Sequence, residues 1–194
     1  MQEFWFYIQL GYHHVMDPMA YDHLLFLSAL ALPFTFKSWK KVLFLATVFT
    51  IAHCFSLALS AYDILRVNSD WIEFLIPVTI LLTALFDLYY VRKDADDMEL
   101  YLHGLATAFF GCIHGFGFSH YFNMLVSGTE EKLLPLTGFA AGIELSQAAI
   151  ILSILLFSFL LHRGFSLKRV HFVVVGAILV VLITIPMLYR TFPR

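Results

Sequence analysis

The sequence predicts an all-α fold, a polytopic bundle of membrane-spanning helices, and two observations carry that prediction. First, 60% of the 194 residues are hydrophobic and only 13% are charged, whereas about a quarter of the residues in soluble domains are charged. Second, the apolar residues fall into runs of roughly twenty, the length that crosses a bilayer as a helix. We therefore expect residues 1-194 to form a single integral membrane domain in contact with lipid. The net charge of −2 gives no reason to expect a nucleic acid partner.

About six spans are expected, preceded by a short N-terminal helix. Their approximate ranges are 18-36, 42-62, 71-91, 99-118, 135-161 and 170-189. The first is expected to begin at Asp17-Pro18, with Asp as the N-cap and Pro at the first helical position. The apolar, aromatic residues before Asp17 are too few to cross a bilayer, so we expect an interfacial or re-entrant helix there.

Two glycines near the end of the fourth span have two interpretations. Gly115 and Gly117 either end the helix near Phe118 and free backbone carbonyls, as in the broken helices of transporters, or allow two helices to pack closely. The residues alone do not choose between these interpretations.

The distribution of basic residues predicts the orientation of the bundle. The loops after the first, third and fifth spans carry Lys37, Lys40, Lys41, Arg92, Lys93, Arg163, Lys168 and Arg169, and the opposite side carries Arg66, Lys132, Arg190 and Arg194. Because basic loops stay in the cytoplasm, both termini are expected to face outward.

Ionisable residues at membrane depth indicate a functional site. At about 1.5 Å per residue, His23 is expected roughly 8 Å, His53 13 Å, His114 6 Å and Glu144 13 Å from the outer ends of four different spans, with Asp22 just above. Such residues face the interior of a bundle and mark functional paths. We therefore expect them to converge in its outer half.

Imidazole and carboxylate together suit a divalent transition metal: zinc, nickel, cobalt or iron. We predict His23, His53, His114 and Glu144 as ligands, with His14 and Asp22 guiding the ion inward or, for Asp22, orienting a ligating histidine. On the cytoplasmic half, Asp87 and His103 form either an exit site or proton relay, or a pair of side chains that reach the interface.

Four ordered pieces of the chain resemble the HupE/UreJ family of hydrogenase- and urease-associated membrane proteins. They are His14 with Tyr21-Asp22-His23-Leu-Leu-Phe, Thr50-Ile-Ala-His53-Cys-Phe-Ser56, His114-Gly-Phe-Gly-Phe118 and Gly142-Ile-Glu144-Leu-Ser-Gln147. The resemblance implies a helical, metal-handling protein of the bacterial inner membrane, described as a nickel or cobalt permease or accessory factor. The interval from His14 to Asp22 is eight residues, longer than in the hydrogenase-linked motif His-Pro-x-x-Gly-x-Asp-His, which indicates a divergent branch.

Three functions remain open at this point. The first is transport or delivery of a divalent metal. The second is an intramembrane zinc hydrolase that uses the same histidines, with Glu144 as the general base. The third is a structural membrane subunit that binds no metal. The metal, the direction of transport and the oligomeric state are not determined by the residues, and an oligomer is compatible with them.

Overall fold

A computed structural model describes residues 2–91, 100–129, 131–165 and 168–193 of the chain. These residues form seven α-helices, one short 3-10 turn and no strand, so the all-α prediction is confirmed for them. The helices are α1 (Gln2–Met16), α2 (Asp22–Ala31), α3 (Trp39–Ala61), α4 (Ser69–Tyr90), α5 (Leu100–Val126), α6 (Leu133–Phe165) and α7 (Arg169–Thr191).

Within the described residues, four helices are long and apolar enough to cross a membrane: α4, α6, α7, and α3 with its preceding turn. The expected count of six spans is not confirmed. Helix α5 is long enough at 27 residues, but the histidines and glycines in it lower its mean hydropathy. Helix α2 has only 10 residues, about 15 Å of helix, and cannot cross alone.

The prediction that a span begins at Pro18 is wrong. Helix α1 ends at Met16, residues 17–21 are not helical, and α2 begins at Asp22. Proline disfavours helical backbone in the residue before it, so Pro18 helps to end α1 instead of opening α2. The Asp17 carboxylate stabilises the break by accepting a hydrogen bond from the Met19 N–H at 2.9 Å.

Of the two interpretations of Gly115 and Gly117, the broken helix does not hold, because α5 continues through both glycines to Val126, past the expected end of the span at residue 118. The expected start of that span at residue 99 lies outside the described residues. Gly115 instead lets α5 approach α3 closely: a Cβ atom there would overlap the Ser56 hydroxyl and the His53 carbonyl. This is the packing use of glycine in membrane helices.

Helix α1 packs along α6 through the same device. A Cβ atom on Gly142 would overlap the Ile8 carbonyl, and one on Gly11 would overlap the Phe139 carbonyl. Successive residues of α1 meet successive residues of α6, so the two helices run parallel. The N-terminal helix is therefore a packed part of the bundle.

The helices alternate between two ends of the bundle. The end that holds both chain termini, here the terminus end, brings the Lys132 ammonium group to the Ala61 carbonyl oxygen. The other end, here the basic end, brings the Arg169 guanidinium to the Pro33 carbonyl oxygen at 2.5 Å. The basic residues 92 and 93, used to predict the orientation, lie outside the described residues. Helix α1 runs inward from the terminus end, and α2 continues from its break to the basic end.

Candidate metal centre

Four histidines from four helices meet where α1 and α2 are interrupted. His14 lies near the end of α1, His23 in the first turn of α2, His53 on α3 and His114 on α5. The ring centroid of His23 lies 4.6 Å from that of His14, 5.8 Å from that of His53 and 5.2 Å from that of His114. These four residues are called the histidine centre below.

The histidine centre contains several buried ring nitrogens that have no hydrogen-bond partner. The exposed fractions of His23, His53 and His114 are 2%, 0% and 1%. Nε2 of His14, Nε2 of His23, both ring nitrogens of His53 and Nδ1 of His114 have no hydrogen-bond partner. Since buried polar atoms are normally hydrogen-bonded, this many unpartnered nitrogens in one place fits a metal ion that they would coordinate.

Hydrogen bonds set which nitrogen of two rings is available. His23 Nδ1 lies 3.2 Å from Asp22 Oδ1, and a carboxylate only accepts, so Nδ1–H donates and Nε2 keeps its lone pair. The Thr79 hydroxyl donates to the Ile76 carbonyl at 2.7 Å, and His114 Nε2 lies 3.2 Å from the hydroxyl oxygen. His114 Nε2–H therefore donates to Thr79, and Nδ1 keeps its lone pair. Metal-binding histidines are typically oriented in this way.

In the part of the chain that the structure describes, two groups of side chains have potential ligand atoms within 4.8 Å of one another. One comprises His14, His23 and His53, and the other comprises Asp22, His23 and His114. His23 belongs to both groups and links them. The structure thus brings together five of the six residues that were predicted as the site.

Within the histidine centre, His114 lies deeper than predicted, whereas His53 lies close to its expected depth. The depth expected for His114 assumed that its helix ends near Phe118, but α5 extends to Val126. His114 is therefore twelve residues, roughly 18 Å, from the terminus end of α5. His53 is eight residues, roughly 12 Å, from the end of α3. These distances place the centre near the middle of the bundle.

Glu144, the sixth predicted residue, lies outside both groups. Its Oε1 accepts a hydrogen bond from the Thr47 hydroxyl at 2.5 Å, and its Oε2 accepts one from the Thr50 hydroxyl at 2.8 Å. Its role as a metal ligand stays a prediction. Towards the basic end, Asp87 is buried, and the ring of His103 contacts that of Phe86 at 4.9 Å.

Stacked phenylalanines contact the histidine centre on two sides. Towards the terminus end, Phe118 and Phe139 stack with ring centroids 5.1 Å apart, and Phe118 lies 4.0 Å from the His14 ring. Towards the basic end, Phe26 and Phe49 stack at 4.8 Å. We call these the terminus-side pair and the basic-side pair.

Sequence reasoning missed these phenylalanines and Thr79. A signal for them exists, because Phe118 lies one helical turn beyond His114 and Phe49 one turn before His53. Thr79 begins a row of polar residues, with Thr83 and Asp87, at intervals of four on α4. Aromatic residues are so common in this chain that the pattern is visible only once the helices are placed.

A model of a protein family described as HupE / UreJ protein matches residues 1–190. The chain belongs to the HupE/UreJ family. This family is associated with membranes and with nickel and cobalt handling. No curated protein and no solved structure matched this HupE/UreJ chain.

Proposed function

We propose that this HupE/UreJ protein binds one divalent transition metal ion at the histidine centre and moves or delivers it across the membrane. The observation that supports this most strongly is the set of buried, unpartnered ring nitrogens on four helices. Neutral imidazoles in a site without thiolates suit nickel, cobalt, zinc or iron. The family's association with nickel and cobalt favours these two as cargo.

The proposed ligands are His14, His23 and His53, joined by His114. His14 and His23 are assigned through Nε2 and His114 through Nδ1, the nitrogens without a partner. Asp22 would hold the His23 ring in place and offset part of the charge of the ion, since a carboxylate bound to the far nitrogen makes imidazole a stronger ligand.

We further propose that α1 with α2 forms one interrupted crossing and that α5 forms another, which with the four apolar helices makes six. Under the positive-inside rule, the basic end is cytoplasmic and both termini face outward. Interrupted helices at mid-depth are typical of the binding sites of secondary transporters. The break between His14 and His23 supports transport over a purely structural role.

The two phenylalanine pairs are proposed to hold the ion in an occluded site. We expect Phe118→Leu and Phe49→Leu each to speed the release of bound metal about 10-fold, which corresponds to roughly 1.4 kcal/mol, because each loosens one stacked pair. Release into excess chelator would be followed by stopped-flow measurement in detergent. Phe157→Leu, at a 58% exposed position on α6, should release metal at the wild-type rate. Equal rates in all four proteins would contradict occlusion.

Transport itself is tested with the full chain reconstituted in liposomes. Wild-type protein should accumulate nickel, cobalt or zinc, each offered alone, while His53→Ala should not rise above empty liposomes. Elemental analysis of the purified wild-type protein should find about one metal ion per chain.

Two outcomes would overturn this function. Protein that binds no metal, even after reconstitution, would leave the structural role. Protein that holds zinc through dialysis but transports nothing would favour the hydrolase, although both carboxylate oxygens of its proposed base, Glu144, already accept threonine hydroxyls.

A further inference from the structure

A second polar cluster lies between α3 and α6, on the basic-end side of His53. Thr47 and Thr50 supply it from α3, and Glu144 and Gln147, one turn apart, supply it from α6. The Thr50 hydroxyl oxygen lies 2.8 Å from Glu144 Oε2 and 3.2 Å from Gln147 Oε1. The two carboxylate, two hydroxyl and one amide oxygen atoms are called the oxygen cluster below.

The oxygen cluster has fewer hydrogen atoms than acceptors. The Thr50 hydroxyl has one hydrogen but lies within hydrogen-bond distance of Glu144, Gln147 and the Ala46 carbonyl oxygen, the last at 3.2 Å. The Thr47 hydroxyl likewise lies 3.1 Å from the Leu43 carbonyl oxygen and 2.5 Å from Glu144. Within the oxygen cluster, two hydroxyl hydrogens thus serve three other acceptors, the two carboxylate oxygens and the amide oxygen, while the Leu43 and Ala46 carbonyls already accept N–H groups of the helix.

Glu144 is the one acidic side chain of the oxygen cluster. Glu144 has no ion-pair partner among residues 2–91, 100–129, 131–165 and 168–193. A carboxylate at membrane depth is costly unless a positive charge accompanies it. Gln147, whose side chain is fully buried, adds an oxygen without adding a second negative charge.

We propose that the oxygen cluster binds one sodium ion, at a site separate from the histidine centre. Carboxylate, hydroxyl and amide oxygens are hard ligands, which suit hard cations better than transition metals. A single carboxylate balances a single positive charge, so a monovalent ion fits better than calcium or magnesium. With the ion bound, both hydroxyls can donate to the Leu43 and Ala46 carbonyls while their lone pairs face the cation.

The position of the oxygen cluster gives this ion a role. Thr50 lies three residues from His53 along α3, so an ion there changes the packing of the helix that carries a proposed metal ligand. If the histidine centre transports metal, which is the function proposed above, sodium at the oxygen cluster is placed to couple to that movement.

Thermal unfolding of the detergent-solubilised full chain tests the site. Replacing choline chloride with sodium chloride at constant ionic strength should raise the melting temperature of the wild-type protein by roughly 5 °C, because a bound ligand stabilises the folded state. Glu144→Gln and Thr50→Val should each lose that rise. Thr137→Val, which removes an exposed hydroxyl of α6, should keep it.

Nickel titration of the same proteins separates this inference from the proposed function. If Glu144→Gln binds nickel as the wild type does but loses the sodium response, the two sites are separate. Three results would overturn the sodium site. The melting temperature of the wild type does not rise in sodium chloride, it rises equally in potassium chloride, or the rise in sodium chloride is undiminished in both variants. Loss of nickel binding in Glu144→Gln would make Glu144 a transition-metal ligand and overturn the separation. If the wild-type protein binds no nickel, the proposed function is overturned, while the sodium response still tests the sodium site independently.

Discussion

Replacing His23 with alanine is expected to weaken transition-metal binding by at least about 100-fold, since even residues that only orient a ligand are worth 10–100-fold. His23 belongs to both groups of potential ligands, and its Nε2 is buried without a hydrogen-bond partner. No other residue of the histidine centre has that double position. Isothermal titration of the purified protein with nickel, cobalt and zinc separately would measure the loss.

The neighbouring residues provide matched controls for that measurement. His13→Ala removes an exposed histidine next to His14 and should leave the affinity unchanged. Asp22→Asn keeps the shape of the side chain but weakens the bond that orients His23, so a loss of about 10-fold is expected. Equal affinity in His23→Ala and the wild type would contradict the proposed ligand set.

Gly115→Ala is expected to destabilise the bundle by about 2–3 kcal/mol, despite the higher intrinsic helix propensity of alanine. Its Cβ atom would overlap the Ser56 hydroxyl and the backbone carbonyl of His53, so α3 and α5 would have to separate. Because His53 and His114 sit on these two helices, nickel affinity should fall as well. The measurement is the melting temperature of the detergent-solubilised protein, with and without nickel.

Gly104→Ala is the control on the same helix. Nothing lies within 4 Å of a Cβ atom built at Gly104, so the same substitution should leave the melting temperature unchanged or raise it slightly. If Gly115→Ala has the melting temperature and the nickel affinity of the wild type, the close approach of α3 and α5 is not required for stability or for metal binding.

Hydropathy predicted the helical class, and depth selected histidines that the structure does bring together. Long apolar runs have one physical solution in a membrane, a helix that satisfies its own backbone. Ionisable residues on such helices avoid lipid, so His53 and His114 had to face inward. Whether they bind metal stays a prediction.

The breaks in the helices could not be predicted because the same residues allow opposite outcomes. Asp17-Pro18 is as good a start for a helix as it is an end for the preceding one. Gly115 and Gly117 interrupt an isolated helix but favour one that packs tightly against a neighbour. The choice depends on contacts between residues far apart in sequence, such as those of Gly115 with α3.

Glu144 illustrates a further limit. Depth correctly indicated that it needed polar neighbours, but not which ones, because Thr47 and His53 both lie on α3. Side-chain direction around the helix decides this, and it becomes visible only when α3 and α6 are placed together.

The interruption between α1 and α2 has a mechanical consequence. No continuous ladder of helical hydrogen bonds joins Met16 to Asp22, so α1 and α2 are two separate rigid segments. Helix α1 packs closely against α6 at Gly11 and Gly142, and α2 is held at the basic end, where the Pro33 carbonyl accepts a hydrogen bond from Arg169. His14 lies on α1 and His23 lies on α2. Any tilt of one relative to the other changes the distance between the two rings, and under the function proposed above that movement would capture or release the metal ion.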